Sequence, residues 1–261
     1  TDHNIVYAES QNGAIQRLDL RTGRSVSVRP RAAARRGGGG GGGGRGPGGG
    51  GAPGAPPAAP TAGAPAGAAD AQQQAMAQFA QAAGFGNPQT SNIVPAPPAG
   101  ENYRFYWNTP VQLSPHNPRV VYTAAQKVFR SMDRGDTWTI ISPDLTKQVD
   151  RSKLEIMGVM SNQPMASRHD GYANNSDIVV LAESPVIPGI LWVGTDDGNL
   201  QLSKDGGVSW NNVYKNIPGA PDGYPHISRV EPSHFDAATC YVTIDNHRVD
   251  DWKPYAYVTH D

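Results

Sequence analysis

The sequence spells Ser-x-Asp-x-Gly-x-(Thr/Ser)-Trp twice, as SMDRGDTW at 131–138 and SKDGGVSW at 203–210. An aspartate among hydroxyl groups has two readings here: a catalytic carboxylate, or an acceptor for the amides of a turn. Glycosidase-type catalysis needs a second carboxyl facing the same bond. One aspartate per repeat instead spreads its carboxylates around a perimeter. In a hairpin turn every residue of the motif has a structural role. Asp133 and Asp205 accept from turn amides, and Gly135 and Gly207 take a positive φ. Ser131 and Ser203 cross-link the turn, while Trp138 and Trp210 supply packing area. The repeated motif reads as architecture, so the chemistry has to be sought elsewhere.

Candidates lie just upstream of the apolar stretches that precede each copy. Tyr106, Trp107 and Asn108 stand before one stretch, Asn174, Asn175 and Asp177 before the next, and Tyr224 and His226 before a third. They mix aromatic platforms with polar groups, as carbohydrate and peptide sites do. The plain alternative is packing between repeats for Trp107 and Tyr224, and a strand-start turn for Asp177. Asp196 and Asp197 in GTDDG sit where Asp-Gly is ordinary hairpin chemistry, and adjacent carboxylates alone do not give the spaced oxygen shell of a calcium site. His169 and Asp170 fall in a loop over 146–175, long enough for a lid or ligand loop. Asp250, Asp251 and Trp252 belong to a polar insertion, DNHRVDDWKPY. No P-loop, dinucleotide fingerprint or zinc spacing is present. No metal site, cofactor or catalytic pair is nominated.

What must position these residues is a repeat. TPVQLSPHNPRVVYTAAQKVFRSMDRGDTWTIIS (109–142) and IVVLAESPVIPGILWVGTDDGNLQLSKDGGVSWNNV (178–213) share an apolar stretch ending in Ser-Pro, two alternating strands, the Asp-Gly turn and a last strand. A third copy starts at HISRVEPSHFDAATCYVTID (226–245), with Glu231-Pro232 in the place of Ser-Pro, and Thr259 and Asp261 match the Ser and Asp of the turn. A degenerate copy opens the chain, with Asp19 and Gly23 at its turn. Serial four-stranded units of this length predict an all-β fold, a partial β-propeller of antiparallel blades. Blades are expected over about 101–145, 176–217 and 225–261 (incomplete), with a partial blade over 1–30. Both ends fall inside repeats, so the chain is expected to be a piece of a longer protein whose other blades are its partners.

The chain has 261 residues, but 31–100 are nearly all Gly, Ala, Pro and Gln, with eight consecutive glycines from Gly37 to Gly44. Such a stretch offers little apolar surface against its ordering entropy and is expected to be a disordered insertion. A short helix is expected within it over 70–83, capped by Asp70 and stopped by Gly84. Its arginines, Arg31, Arg35, Arg36 and Arg45, lack the interleaved aromatics of a single-strand nucleic-acid binder. The net charge of −1 gives no global pull toward nucleic acid or membrane. A single cysteine, Cys240, excludes an intrachain disulfide. No apolar run is long enough for a membrane span. The first residue is threonine and no leader pattern follows it, so any targeting segment is expected to have been removed or to lie outside the sequence.

The turns at 131–138 and 203–210 resemble the Asp-box of bacterial-neuraminidase-type repeats, found in sialidases, sortilin-type propellers and xyloglucanase-type two-propeller glycoside hydrolases. The wider wording of 101–217 is similar to large secreted bacterial proteins with sortilin-type propellers, often labelled glycosyl hydrolases. The resemblance implies Asp-boxes at the outer rim, away from the central funnel, and a secreted or periplasmic location. It implies a non-catalytic binding or scaffold module whose ligand is a peptide, protein or carbohydrate. The alternative is part of a xyloglucanase-like hydrolase. That family's paired acids find no matching positions here, so the hydrolase reading stays conditional.

Overall fold

The computed structural model describes residues 2–33, 92–98, 101–156, 159–164 and 175–261. The expected helix at 70–83 and the rest of the insertion's interior lie outside the described residues, as do His169, Asp170 and Asn174. Among the described residues every regular element is a strand apart from short 3₁₀ turns, and within each three- or four-stranded sheet successive strands pair antiparallel. The chain is an arc of β-propeller.

The first sheet runs β1 (Ile5–Glu9), β2 (Ile15–Asp19), β3 (Arg24–Ser27). Two short strands, β4 (Arg31–Ala32) and β5 (Ile93–Val94), then pair in parallel and pin the two ends of the low-complexity stretch together. Arg31 leaves the basic cluster the sequence suggests: its guanidinium donates to Asn92 Oδ1 at 3.0 and 3.1 Å, and the Asn92 amide donates to Arg29 O at 2.6 Å.

The second sheet is four-stranded: β6 (Val111–Leu113), β7 (Val121–Ala124), β8 (Val128–Ser131), β9 (Thr139–Ile140). A small hairpin, β10 (Glu155–Ile156) and β11 (Val159–Met160), lies in the following connection. The third sheet repeats the second with β12 (Ile178–Glu183), β13 (Leu191–Thr195), β14 (Leu200–Ser203) and β15 (Asn211–Asn212). The fourth has β16 (His226–Pro232), β17 (Cys240–Asp245) and β18 (Tyr255–Thr259).

The amphipathic pattern differs between edge and centre. β1 and β18 alternate half-buried with exposed residues, as a strand with one wet face should. Every residue of β7, β13 and β14 is buried, because a blade's central strands have a neighbouring blade on each face. The core is therefore laid down in slabs between sheets. Val121 and Phe129 join Phe105 and Trp138, Leu191 and Val193 join Val128 and Ile178, and Val230 and Cys240 join Trp192 and Leu202.

Backbone bonds fix the register of the repeats. Ser114 N donates to Val120 O, Ser184 N to Ile190 O, and Ser233 N to Thr239 O, closing the same turn in three sheets. The third turn is thus Ser233-His234, and the assignment of Glu231-Pro232 to the Ser-Pro position is corrected. Pro232 is the last residue of β16 and pairs with Cys240, so it sits where Glu183 pairs with Leu191. Proline after an acid mimicked the Ser-Pro wording, whereas the Ser233 hydroxyl, accepting from Phe235 N at 3.1 Å, makes the turn.

Candidate ligand-binding edge

The hairpins divide the blades into two edges. The turns after β8 and β14 share one edge with the Ser114 and Ser184 turns: Arg134 N donates to Arg119 O, and Gly206 N to Gly189 O. Here each repeated motif closes on itself. Ser131 Oγ donates to Asp133 Oδ1 at 2.8 Å and accepts from Gly135 N at 2.7 Å, while Asp133 accepts from Thr137 N and Oγ1 at 2.8 and 2.6 Å. The second copy repeats these bonds through Ser203, Asp205, Gly207 and Ser209 at 2.5 to 2.9 Å. Hydrogen bonds from Ser209 hold the Asp205 carboxyl down at about 2. At Asp133 partial burial pushes upward, and the bonds from Thr137 and Ser131 outweigh it.

The tryptophans reach across to the preceding blade. Trp138 Nε1 donates to Val28 O at 2.7 Å, and Trp210 Nε1 to Ile141 O at 3.0 Å. Gly135 and Gly207 have φ of +94° and +93°, and a Cβ there would meet the Val28 side chain at 2.9 Å or Ile141 O at 2.7 Å. A carboxylate with its acceptor sites filled by its own turn is poorly placed to activate a substrate.

The opposite edge collects the starts of the inner strands and the hairpins between the second and third strands of each blade. Seven residues back from Ser114, Ser184 and Ser233, the sequence places Trp107, Asp177 and His226 at corresponding positions. The structure gives them different surroundings. Trp107 is 56 % exposed, its carbonyl accepting from Asn12 N at 3.2 Å, and Asn108 beside it is also exposed. The Tyr106 ring lies 5.9 Å from that of His226, and Arg248 Nη2 donates to its hydroxyl at 3.2 Å. The segment before β6 thereby meets the fourth sheet. Burial, with Arg248 nearby, pulls the His226 imidazole down to about 4, so it is neutral at neutral pH.

Tyr224 is half-exposed beside Lys147, whose ammonium lies 5.6 Å from the Tyr224 ring and 5.8 Å from that of Tyr214. Lys147 Nζ also donates to Gly223 O at 2.8 Å. The loop after β17 adds an exposed Trp252, whose ring lies 5.7 Å from that of His247 at a tilt of 37° and whose indole N–H donates to Asp250 Oδ1 at 2.9 Å. Asp251 is occupied locally, accepting from Asn246 of the same loop and from the Tyr255 hydroxyl at the start of β18.

Asp177 is wholly buried at the start of β12. Its carboxylate has no hydrogen-bond partner among the described residues, and Arg104 Nε stands 3.6 Å away. Burial first, then the neighbouring Asp196 carboxylate, push its carboxyl up to about 8 against the pull of Arg104. Asp196 Oδ1 accepts from Asp177 N at 2.7 Å, and Asp197 accepts from Thr195 Oγ1 and Lys147 N. These two acids are buried, not simple hairpin decoration, and they tie neighbouring loops together. Among the described residues no group of acids, histidines or cysteines is arranged to hold a metal ion.

The structure thus joins Tyr106 to His226, leaves Trp107 and Tyr224 displayed, and sets Asp177 apart in a buried acid cluster. The sequence did not point to Arg104, Lys147 or Arg248. Arg104 in ENYRFYW carried a weak signal, a lone charge in an aromatic run. It serves as a hub that also donates to Ser176 O at 2.9 Å and to Asp144 at 3.2 Å.

No protein-family profile and no curated protein matches this chain. Among solved structures it is similar to a GH74 enzyme of Niastella koreensis, with 16 % identity and a TM-score of 0.48, over 100 % of this chain and 27 % of the enzyme. It is also similar to the GH74 xyloglucanase of Xanthomonas campestris, with 23 % identity and a TM-score of 0.36, over 51 % of this chain and 18 % of the enzyme. The chain spans about a quarter of the length of the first of these, 27 %. Among the described residues no helix is long and apolar enough to cross a membrane.

Proposed function

We propose that the chain is a glycan-binding arc of a larger propeller protein, with its recognition surface on the edge opposite the repeated turns. One observation carries this reading: Trp107, Tyr224 and Trp252 are each more than half exposed on that edge. Around them Tyr106, His226 and Arg248 supply polar groups. Exposed large aromatics cost hydration unless they meet a ligand, and a flat ring with polar neighbours suits the apolar face and hydroxyl rim of a sugar. Such a ligand places the protein outside the cytoplasm, secreted or periplasmic.

Titration calorimetry with xyloglucan oligosaccharides tests this. The parent chain binds, and the triple variant Trp107→Ala/Tyr224→Ala/Trp252→Ala melts like the parent but loses at least about tenfold in affinity. Equal affinity would sink the proposal.

A second reading, a glycoside hydrolase, is favoured by one feature. Asp177 keeps its proton at neutral pH, as a general acid must. Its full burial and the need for a second carboxyl facing the same bond speak against it within this chain. Release of reducing ends from xyloglucan, abolished in Asp177→Asn, would establish the hydrolase. Binding without release establishes the glycan-binding module.

A further inference from the structure

An arginine of one blade reaches the repeated turn of the next, and it does so twice. Val28 N donates to Ile15 O as Ile141 N donates to Val128 O, and two residues on from these carbonyls stand Arg17 and Arg130. Each faces a tyrosine across its strand pair, Tyr7 and Tyr122. Each guanidinium donates through Nη1 to the same carbonyl of the turn, Arg134 O at 2.8 Å and Gly206 O at 3.2 Å.

The two joints differ in how their charge is met. Arg17 Nη2 pairs with the Asp136 carboxylate at 3.0 Å. In the second turn Val208 stands in the place of Asp136 and is 87 % exposed. Among the described residues Arg130 forms no ion pair, and its buried Nε has no hydrogen-bond partner. The Tyr7 hydroxyl donates to Arg134 O, whereas that of Tyr122 donates to Glu183 Oε1 at 3.3 Å. Gly189 N donates to the same oxygen at 3.0 Å. The other oxygen, Oε2, is buried with no hydrogen-bond partner among the described residues, on a side chain only 5 % exposed. Tyr122, Arg130 and Glu183 line one cleft of about 400 Å³, walled on its apolar side by Val120, Met132 and Pro188. Asp205, at the same cleft, has both oxygens taken by Ser203 and Ser209 of its own turn.

We propose that this cleft binds an α-amino acid with an apolar side chain. The ligand's carboxylate lies on the Arg130 guanidinium as Asp136 lies on Arg17, its ammonium donates to Glu183 Oε2, and its side chain rests on Val120, Met132 and Pro188. Buried charged groups left without partners are costly, and charge-assisted bonds are the strong ones. A plain anion would leave Glu183 unmet and a plain amine would leave Arg130 unmet, so a ligand carrying both charges fits where either alone does not. The cleft is on the edge of the repeated turns and does not depend on the glycan surface.

Titration calorimetry of the parent chain with L-leucine tests this. Leucine binds saturably, and isocaproate, which lacks the ammonium, and isoamylamine, which lacks the carboxylate, each bind at least about tenfold more weakly. Val208→Asp places a carboxylate on Arg130 in cis, as Asp136 is placed on Arg17. It melts no lower than the parent and loses leucine binding by at least about tenfold, while Val208→Asn, of the same shape without the charge, keeps the parent's affinity. No saturable binding of leucine, equal binding of either analogue, or a Val208→Asp protein that binds leucine like the parent would overturn the site.

Discussion

At the scale of single residues, the same amino acid does opposite things on the two edges. Asp205 is held ionised at about 2 by hydroxyl and amide donors of its own turn. Asp177, with no hydrogen-bond donor to its carboxylate among the described residues, is pushed to about 8 by burial and by Asp196. A carboxyl whose pKa is raised in the folded state supports the fold fully below its unfolded value near ~4 and loses that contribution as pH climbs through about 8. Arg104, Asp144, Asp196 and Asp197 face Asp177 and set the size of the effect. The parent's urea midpoint should therefore fall between pH 5 and pH 8 more steeply than that of Asp177→Asn. Parallel pH profiles for the two proteins would show that Asp177 does not titrate in that window.

At the scale of elements, the repeated turn is a joint between blades as well as within one. Gly207 needs both its left-handed φ and the absence of a Cβ, which would press on Ile141 O at 2.7 Å, whereas Gly23 at φ +68° has open space around it. Gly207→Ala should cost about 3 kcal/mol and Gly23→Ala about 1 kcal/mol, read from urea denaturation. Equal costs would mean that the close approach to the preceding blade carries no weight. These turns were legible in the sequence because their chemistry closes within a few residues, Ser131 to Asp133 to Thr137. The third turn was misplaced because a proline in β16 copied the wording without the serine hydroxyl that makes it. The candidate edge was legible only in outline. Trp107, Tyr224 and His226 stand out by type and place, but the contacts that organise them join Arg104 to Ser176 and Tyr106 to Arg248. Such long-range partners leave no periodic trace.

At the scale of the whole molecule, the blades separate two jobs. One edge and the slabs between sheets hold the arc together, and the other edge displays aromatic rings to solvent. Trp138 is 6 % exposed and hydrogen-bonded to the preceding blade, and Trp107 is 56 % exposed. The most direct test compares Trp138→Ala with Trp107→Ala by thermal melting and by xyloglucan-oligosaccharide titration on the same samples. Trp138→Ala should lose about 3–5 kcal/mol of stability and, where still folded, keep the parent's affinity, while Trp107→Ala should keep the parent's melting temperature and bind more weakly. A Trp138→Ala protein that melts like the parent yet fails to bind, or a Trp107→Ala protein that binds like the parent, would contradict the division of labour between the two edges.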